Sequence, residues 1–273
     1  MTTRLSPRTA GILYLALLMA MVLAAALAPR IPQPLLYHHF ADRRALWNIP
    51  NFADVVSNVP FAVFGIWGLL FLAGRRGRSA FVVPQERIPY FAFFVGLLLT
   101  AFGSAYYHFA PDNARLVWDR IPMTIVFASL VAALVAERVS VKLGVRLLPF
   151  LLALGLLSVL QWYYSEINGA GDLSLYASVQ LGSLLALILA LDLPARYTRS
   201  FDLGVVAALY IFAKMFELWD RDIFNTLHLV SGHTLKHLVA AAAGFWILRM
   251  LKHRQPIVRI GDETAPSALP ADL

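Results

Sequence analysis

The 273-residue chain contains no cysteine, so it forms no disulfide, offers no thiolate to a metal and has no cysteine nucleophile. Any metal ion held by side chains therefore needs His, Asp or Glu ligands. Charged residues are also scarce, at 14% of the chain, whereas about a quarter is usual in a soluble domain. Hydrophobic residues reach 59%, well above the roughly half that soluble domains contain. These departures exclude a water-soluble enzyme fold and a disordered or collagen-like chain.

The hydrophobic residues form runs long enough to cross a bilayer, which takes about 20 residues per helix. The sequence therefore predicts an all-α, polytopic transmembrane helix bundle. The first run follows Arg4 and Arg8 and ends in small residues, as a signal peptide does. Pro29 directly after it makes a poor cleavage site and favours a retained helix. The predicted spans lie at about 11–28, 54–73, 88–109, 119–136, 147–164, 174–191, 203–219 and 232–250.

Lysine and arginine are distributed unevenly between alternate loops, and this bias sets the orientation of a membrane protein. With a cytoplasmic N-terminus, 15 of the 23 basic residues fall on the cytoplasmic side and six, counting Arg120 as a loop charge, on the other, and Lys214 and Lys236 lie inside spans. Both termini are therefore predicted to be cytoplasmic. The net charge of +7 belongs to these loops and does not indicate nucleic-acid binding. The sparse pattern of lysine and arginine residues and the absence of cysteine favour a bacterial inner membrane.

We divide the chain into three parts on this basis. Residues 1–46 hold the extra N-terminal helix and a connecting segment, and residues 47–250 hold a core of seven helices. Residues 251–273 are rich in Pro, Ala and Asp and are predicted to form a disordered cytoplasmic tail.

Ionisable side chains inside a span are unfavourable in lipid, so each marks a candidate functional site. Ser104 and His108 share one helical face at the end of the third span. Asp119 follows after a short turn, which places it beside that helix end. His233 and His237, four residues apart, open the last span and can hold one metal ion together. Three histidines with an open fourth position are typical of catalytic zinc, and a nearby carboxylate and hydroxyl suit proton transfer and oxyanion stabilisation.

Other interpretations of these residues stay open at this point. The soluble zinc-protease motif needs Glu after its first His, and Thr234 stands there, so that interpretation fails. Haem ligation by paired histidines is possible but accounts for neither Ser104 nor Asp119. A purely structural role for the histidines is a further alternative. One charged set, which forms either a helix-orienting ladder or the proton path of a transporter, comprises Lys214, Glu217 and Asp220.

The order and spacing of these polar residues resemble the alkaline ceramidase family. This family belongs to a superfamily of seven-helix membrane hydrolases that also includes adiponectin-receptor-like proteins. The resemblance covers residues 47–250. It is carried by a Ser-Asn pair, a Ser-x-x-x-His motif, an Asp eleven residues later and a His-x-x-x-His motif: Ser57, Asn58, Ser104, His108, Asp119, His233 and His237.

The resemblance implies a zinc-dependent amidase that cuts the N-acyl bond of ceramides, giving a fatty acid and a sphingoid base. Its substrate would be a membrane lipid. By the family pattern, His108, His233 and His237 hold the zinc ion. Asp119 positions the attacking water and takes its proton, and Ser104 stabilises the oxyanion. The Ser57-Asn58 pair supports the site from a neighbouring helix.

The chain also departs from the family before the first core span. Eukaryotic ceramidases carry an acidic, Trp-containing stretch there that binds calcium, whereas residues 46–54 retain one Trp without the acidic cluster. Hard cations need such oxygen ligands, so the resemblance carries over zinc and leaves calcium open. The lipid is left open as well, because another lipid amide or ester would use the same chemistry. A non-enzymatic seven-helix receptor or sensor with a structural zinc ion is the alternative from another class.

Overall fold

The computed structural model describes residues 6–257 and confirms the all-α class, since no strand occurs in this range. Short 3-10 segments lie at Leu35–His38 and Pro84–Glu86. The α-helices are α1 (Pro7–Leu27), α2 (Phe52–Val56), α3 (Val59–Ala73), α4 (Arg75–Ser79), α5 (Arg87–Phe109), α6 (Asn113–Arg138), α7 (Val141–Ile167), α8 (Ser174–Ala190), α9 (Phe201–Leu218), α10 (Asp220–Leu227) and α11 (Gly232–His253).

A helix lies at each of the eight predicted spans. Five stretches are long and apolar enough to cross a membrane. Two of them combine neighbouring elements, α2 together with α3, and α5 together with the 3-10 segment that begins at Pro84. The other three are the single helices α6, α7 and α11. The apolar parts of α1 and α8 are shorter, and α9 carries Lys214 and Glu217. These helices fit an integral membrane protein.

The second predicted span is interrupted at Ser57 and Asn58, between α2 and α3. Pro60 lies in the first turn of α3 and has no N–H to donate to the carbonyl of Val56. The break therefore falls at the Ser-Asn pair, and both side chains turn into the protein, where Ser57 is 6% and Asn58 1% exposed.

Helix α6 begins several residues before the predicted span, because Asp112 caps it. The Asp112 carboxylate accepts a hydrogen bond from the backbone N–H of Arg115 at 2.7 Å. Arg120, counted as a loop charge from the sequence, consequently lies within α6 and is only 4% exposed. That assignment from the sequence was wrong for Arg120.

Helices α5 and α6 pack against each other very closely near the non-helical turn at residues 110–112. A Cβ atom added to Gly103 would lie 2.0 Å from the carbonyl oxygen of Trp118, so only glycine allows this approach. Pro122 has no N–H for that same carbonyl, which is left facing Gly103. The turn and this contact together place the end of α5 beside the start of α6.

The remaining helices surround this pair. Helix α11 packs against α9 and α3, α7 packs against α6, and α1 lies along α8. At the opposite end of the bundle, Arg254 follows α11 and forms a buried ion pair with Glu137 of α6. Residues 251–253, which were assigned to the tail from the sequence, are helical, and residues 258–273 lie outside the described range.

Candidate metal centre

Three buried histidines meet where the end of α5 faces the start of α11. The ligand nitrogens of His108, His233 and His237 all lie within 4.8 Å of one another, and each residue is at most 4% exposed. The rings are arranged symmetrically, with centroids 4.7 to 4.9 Å apart. The structure thus brings together all three histidines predicted from the sequence, as a group able to hold a metal ion.

The spacing of these nitrogens suits a tetrahedral ion. Nε2 of His108 and Nε2 of His233 lie 3.3 Å apart. Two imidazoles bound to zinc at the usual bond length in tetrahedral geometry are separated by about 3.3–3.4 Å. The donor chemistry is also appropriate, because imidazole nitrogen suits zinc and several other transition metals. The residues therefore fit a bound transition metal, and zinc is one member of that class.

Hydrogen bonds from neighbouring helices hold two of the histidines. The Ser57 hydroxyl lies 2.8 Å from Nδ1 of His237, which leaves Nε2 of that ring for a ligand. The Asn51 amide donates to the backbone carbonyl of His108 at 2.8 Å. Such outer partners fix the orientation of metal-binding imidazoles. Ser57 thus contacts the histidines directly, whereas its neighbour Asn58 donates to the backbone carbonyl of Asp54 at 2.7 Å.

The first turn of α11 is held from three sides, which fixes both of its histidines. Ser231 caps the helix by accepting from the backbone N–H of Thr234 at 3.0 Å. Asp220 accepts from the backbone N–H of His233 at 2.7 Å. The fully buried Asp54 accepts from the Thr234 hydroxyl at 2.7 Å. Carboxylates at a helix N-terminus are stabilised by the helix dipole.

An aromatic side chain closes the histidine cluster on one side. The ring of Phe40 packs 4.6 Å from the ring of His108 and 4.5 Å from that of His233. The other oxygen of Asp220 accepts from the backbone N–H of Ala41 at 2.9 Å and so holds this segment in place. A hydrophobic cover of this kind limits the access of water.

On the other side the cluster faces a cavity of about 410 Å³ inside the bundle. Ser104, Asp119 and His237 form part of its wall, so the Ser104 hydroxyl and the Asp119 carboxylate face the same cavity. Along α5 the lining runs from Ser104 to Phe93, roughly 16 Å at the helical rise of 1.5 Å per residue. Most of the wall away from the histidines is apolar, including Leu97 and Met123.

A chain of charges lies in the same wall. Lys236 approaches Nε2 of His233 at 2.9 Å and Glu217 at 3.1 Å, and Glu217 also pairs with Lys214. The predicted Lys214–Glu217–Asp220 ladder is thus divided. Lys214 and Glu217 line the cavity, while Asp220 holds α11 and the segment that carries Phe40.

Sequence reasoning missed Lys236, Arg120, Gln33 and Phe40 as residues around the site. The position of Lys236 between two histidines was a usable signal. Arg120 gave one too, since it follows Asp119 directly. Phe40 and Gln33 lie in the irregular segment between α1 and α2, where no periodicity indicates which side chains point inward.

Calcium was left open at residues 46–54, and the segment directly before them is bridged by an arginine. Arg44 contacts both carboxylate oxygens of Asp42, at 2.8 and 2.7 Å, and donates to the backbone carbonyls of His228 and Leu229. Burial alone raises the pKa of Asp42, but the side-chain and backbone hydrogen bonds from Arg44 outweigh burial and hold it below its ordinary value. A guanidinium thus joins this segment to the loop before α11.

No model of a known protein family matches the chain, and no curated protein matches it significantly in sequence.

Proposed function

We propose that the protein is a zinc-dependent membrane amidase that hydrolyses the N-acyl bond of ceramide-like lipids to a fatty acid and a sphingoid base. The observation that carries the proposal is the meeting of two features at one point. A buried three-histidine group contributes His237 to the wall of a long, mainly apolar cavity, and Asp119 and Ser104 lie in the same wall.

The side chains suit amide hydrolysis by water. Zinc held by the three histidines would supply Lewis-acid activation of water and of the scissile carbonyl. Asp119 accepts the proton of the attacking water and returns it to the leaving amine, so that water and amide become carboxylic acid and amine. The Ser104 hydroxyl, beside that carboxyl group, donates to the oxygen on which negative charge develops.

The apolar part of the cavity suits the acyl chain. Its walls come from α5, α6, α8, α9 and α11, with side chains such as Phe93, Leu97 and Phe127. A pocket with a mainly hydrophobic lining and a few polar groups at one end binds and orients an amphipathic ligand. The scissile amide would then lie at the polar end, against Asp119 and Ser104.

The proposed cellular setting follows from the charge distribution of the loops. Both termini are cytoplasmic, the membrane is a bacterial inner membrane, and the site lies near the non-cytoplasmic face. The substrate then reaches the site from the bilayer.

The test is to purify the chain in detergent, measure zinc per chain, and follow fatty-acid release from ceramides of different acyl length. We expect one zinc per chain and measurable release. In the His233→Ala, His237→Ala double variant both are lost, while His253→Ala, an exposed position on the same helix, keeps both. Zinc retained by the double variant contradicts the metal site. Zinc bound with no hydrolysis of any lipid amide or ester supports the receptor alternative instead.

A further inference from the structure

Arg120 is a buried cation that forms no salt bridge within residues 6–257, although the Asp119 carboxylate is close enough to interact with it electrostatically. Arg120 is 4% exposed, and none of the salt bridges in this part of the chain involves it. Its guanidinium instead lies over the ring of Trp162 at 4.0 Å and that of Tyr176 at 4.7 Å. Aromatic faces stabilise a cation, but they do not satisfy N–H groups that point along the guanidinium plane.

Gln33 is the hydrogen-bond partner of this arginine, and both residues keep an unused donor. Nη2 of Arg120 donates to Oε1 of Gln33 at 2.6 Å. Nη1 of Arg120 and Nε2 of Gln33 are fully buried and make no hydrogen bond within the described part of the chain. Both side chains line the cavity described above, and Gln33 is only 7% exposed.

Energetics make this pair unusual for a purely structural contact. A charge buried without a salt-bridge partner is unfavourable, and each unsatisfied buried donor adds to that cost. Two neighbouring donors, one of them cationic, fit an acceptor group with two oxygens and a negative charge. Arginine is well suited to such groups, because its planar fork matches a carboxylate or a phosphate.

The position of the pair indicates which part of a substrate it would meet. Arg120 directly follows Asp119 and lies on the wall that also holds Gln33 and Tyr37. The long apolar part of the cavity lies along α5 and α6 in the direction of Phe93 and Leu130. When the acyl chain occupies that part of the cavity, the Arg120–Gln33 pair faces the group attached to the nitrogen of the scissile amide.

We propose that Arg120 and Gln33 form a recognition subsite for an oxyanion, a carboxylate or phosphate, on the amine side of the lipid amide. The proposal rests on the amidase function proposed above and concerns the charge of the substrate on its amine side, for ceramides and for other lipid amides. N-acyl amino acids carry a carboxylate one carbon from the amide nitrogen, and phosphorylated ceramides carry a phosphate further out. The uncharged counterparts, N-acyl ethanolamines and unphosphorylated ceramides, lack the oxyanion that the subsite binds.

The experiment compares matched pairs of substrates with the same acyl chain. One pair is N-palmitoyl glycine and N-palmitoyl ethanolamine, and the other is ceramide 1-phosphate and ceramide. For wild-type protein we expect kcat/KM to favour the anionic member of one pair by about 10- to 100-fold, the range for a charged hydrogen bond. The pair that shows the preference identifies the oxyanion as carboxylate or phosphate.

Two variants of the subsite and one control make the test specific. Arg120→Gln is expected to bring the ratio within a pair close to one. Gln33→Glu places a carboxylate on the guanidinium, so it should abolish the preference and keep or raise the thermal stability, which guards against loss of folding. Arg115→Gln lies on the same helix, outside the cavity, and should leave the ratio unchanged.

Binding provides a readout that does not depend on hydrolysis. N-hexadecylsulfonyl glycine and N-hexadecylsulfonyl ethanolamine have a sulfonamide in place of the amide, and their binding is measured by thermal shift. Tighter binding of the glycine compound that disappears in Arg120→Gln supports the subsite even if no lipid amide is hydrolysed. If Arg120→Gln folds and changes neither the kinetic ratios nor the binding preference, the subsite is wrong whatever the activity of the protein.

Discussion

The hydroxyl of Ser57 lies 2.8 Å from Nδ1 of His237, although the two residues are 180 positions apart in the chain. Ser57 stands in the break between α2 and α3, and His237 lies one turn into α11. The contact fixes the ring through one nitrogen and leaves the other for the histidine cluster. The break between α2 and α3 thereby orients one of the three imidazoles, although it contributes none of the clustered histidines.

Ser57→Ala should therefore weaken metal binding without removing the site. We expect zinc affinity to fall by about 10- to 100-fold, the usual effect of losing a hydrogen bond to a metal-binding histidine. The measurement is a competition titration against a chelator of known affinity, with the protein in detergent.

The matched control is Ser158→Ala, which removes another buried hydroxyl, one that donates to the backbone carbonyl of Gly155 in its own helix. Zinc affinity should be unchanged in this variant. Equal losses in the two variants would mean that the effect comes from general destabilisation and not from the orientation of His237.

Asp119→Asn should separate metal binding from catalysis. The amide keeps the size of the side chain but no longer accepts a proton, so amide hydrolysis should fall by about 100- to 10,000-fold. Zinc content should stay at the wild-type level, because Asp119 is not one of the three clustered residues. Asp222→Asn on the exposed surface of α10 is the control and should leave both quantities unchanged. Full hydrolysis by Asp119→Asn would remove Asp119 from the mechanism.

The sequence was sufficient to predict the helices and the histidine cluster, for reasons that depend on local pattern. Apolar runs determine where helices form in lipid, and the three-residue turn between α5 and α6 brings Asp119 back beside Ser104. The convergence of Lys236 with Glu217 was not predictable in this way. It depends on the rotation of α11 against α9, which neither helix encodes alone.

Arg120 shows how a local capping contact changed an assignment. The hydrophobic run alone starts α6 near residue 119, which left Arg120 at the membrane surface as an orienting charge. The Asp112 cap starts the helix at Asn113, so Arg120 lies a further two turns inside the helix and beneath Trp162. The capping signal of Asp112 was present in the sequence, but the start of the helix was predicted from the start of the hydrophobic run instead.

The Lys236–Glu217 contact predicts a non-additive effect on stability. Glu217→Gln leaves two lysines in the cavity wall without their carboxylate and should lower the free energy of unfolding by about 2 kcal/mol. This loss is smaller than that expected for breaking a fully buried ion pair, because the Lys214 side chain is 40% exposed. Adding Lys236→Gln removes one of the stranded charges, so the double variant should be less destabilised than the two single losses combined. Unfolding in detergent with excess zinc measures this. Strictly additive losses would mean that the two side chains do not interact.

The contact between Gly103 and Trp118 gives the most direct test of how packing forms the site. Gly103→Ala places a methyl group 2.0 Å from a backbone carbonyl, which has no rotamer with which to move away, so α5 and α6 must separate. We expect a loss of about 1–3 kcal/mol of stability from overpacking, together with reduced hydrolysis, because Ser104 and Asp119 lie on the two separated helices. Gly204→Ala is the control, since its nearest neighbour would be a leucine methyl group at 3.8 Å, and it should be neutral or slightly stabilising. Wild-type activity in Gly103→Ala would show that the proximity of these two helices does not position the proposed catalytic pair, Ser104 and Asp119.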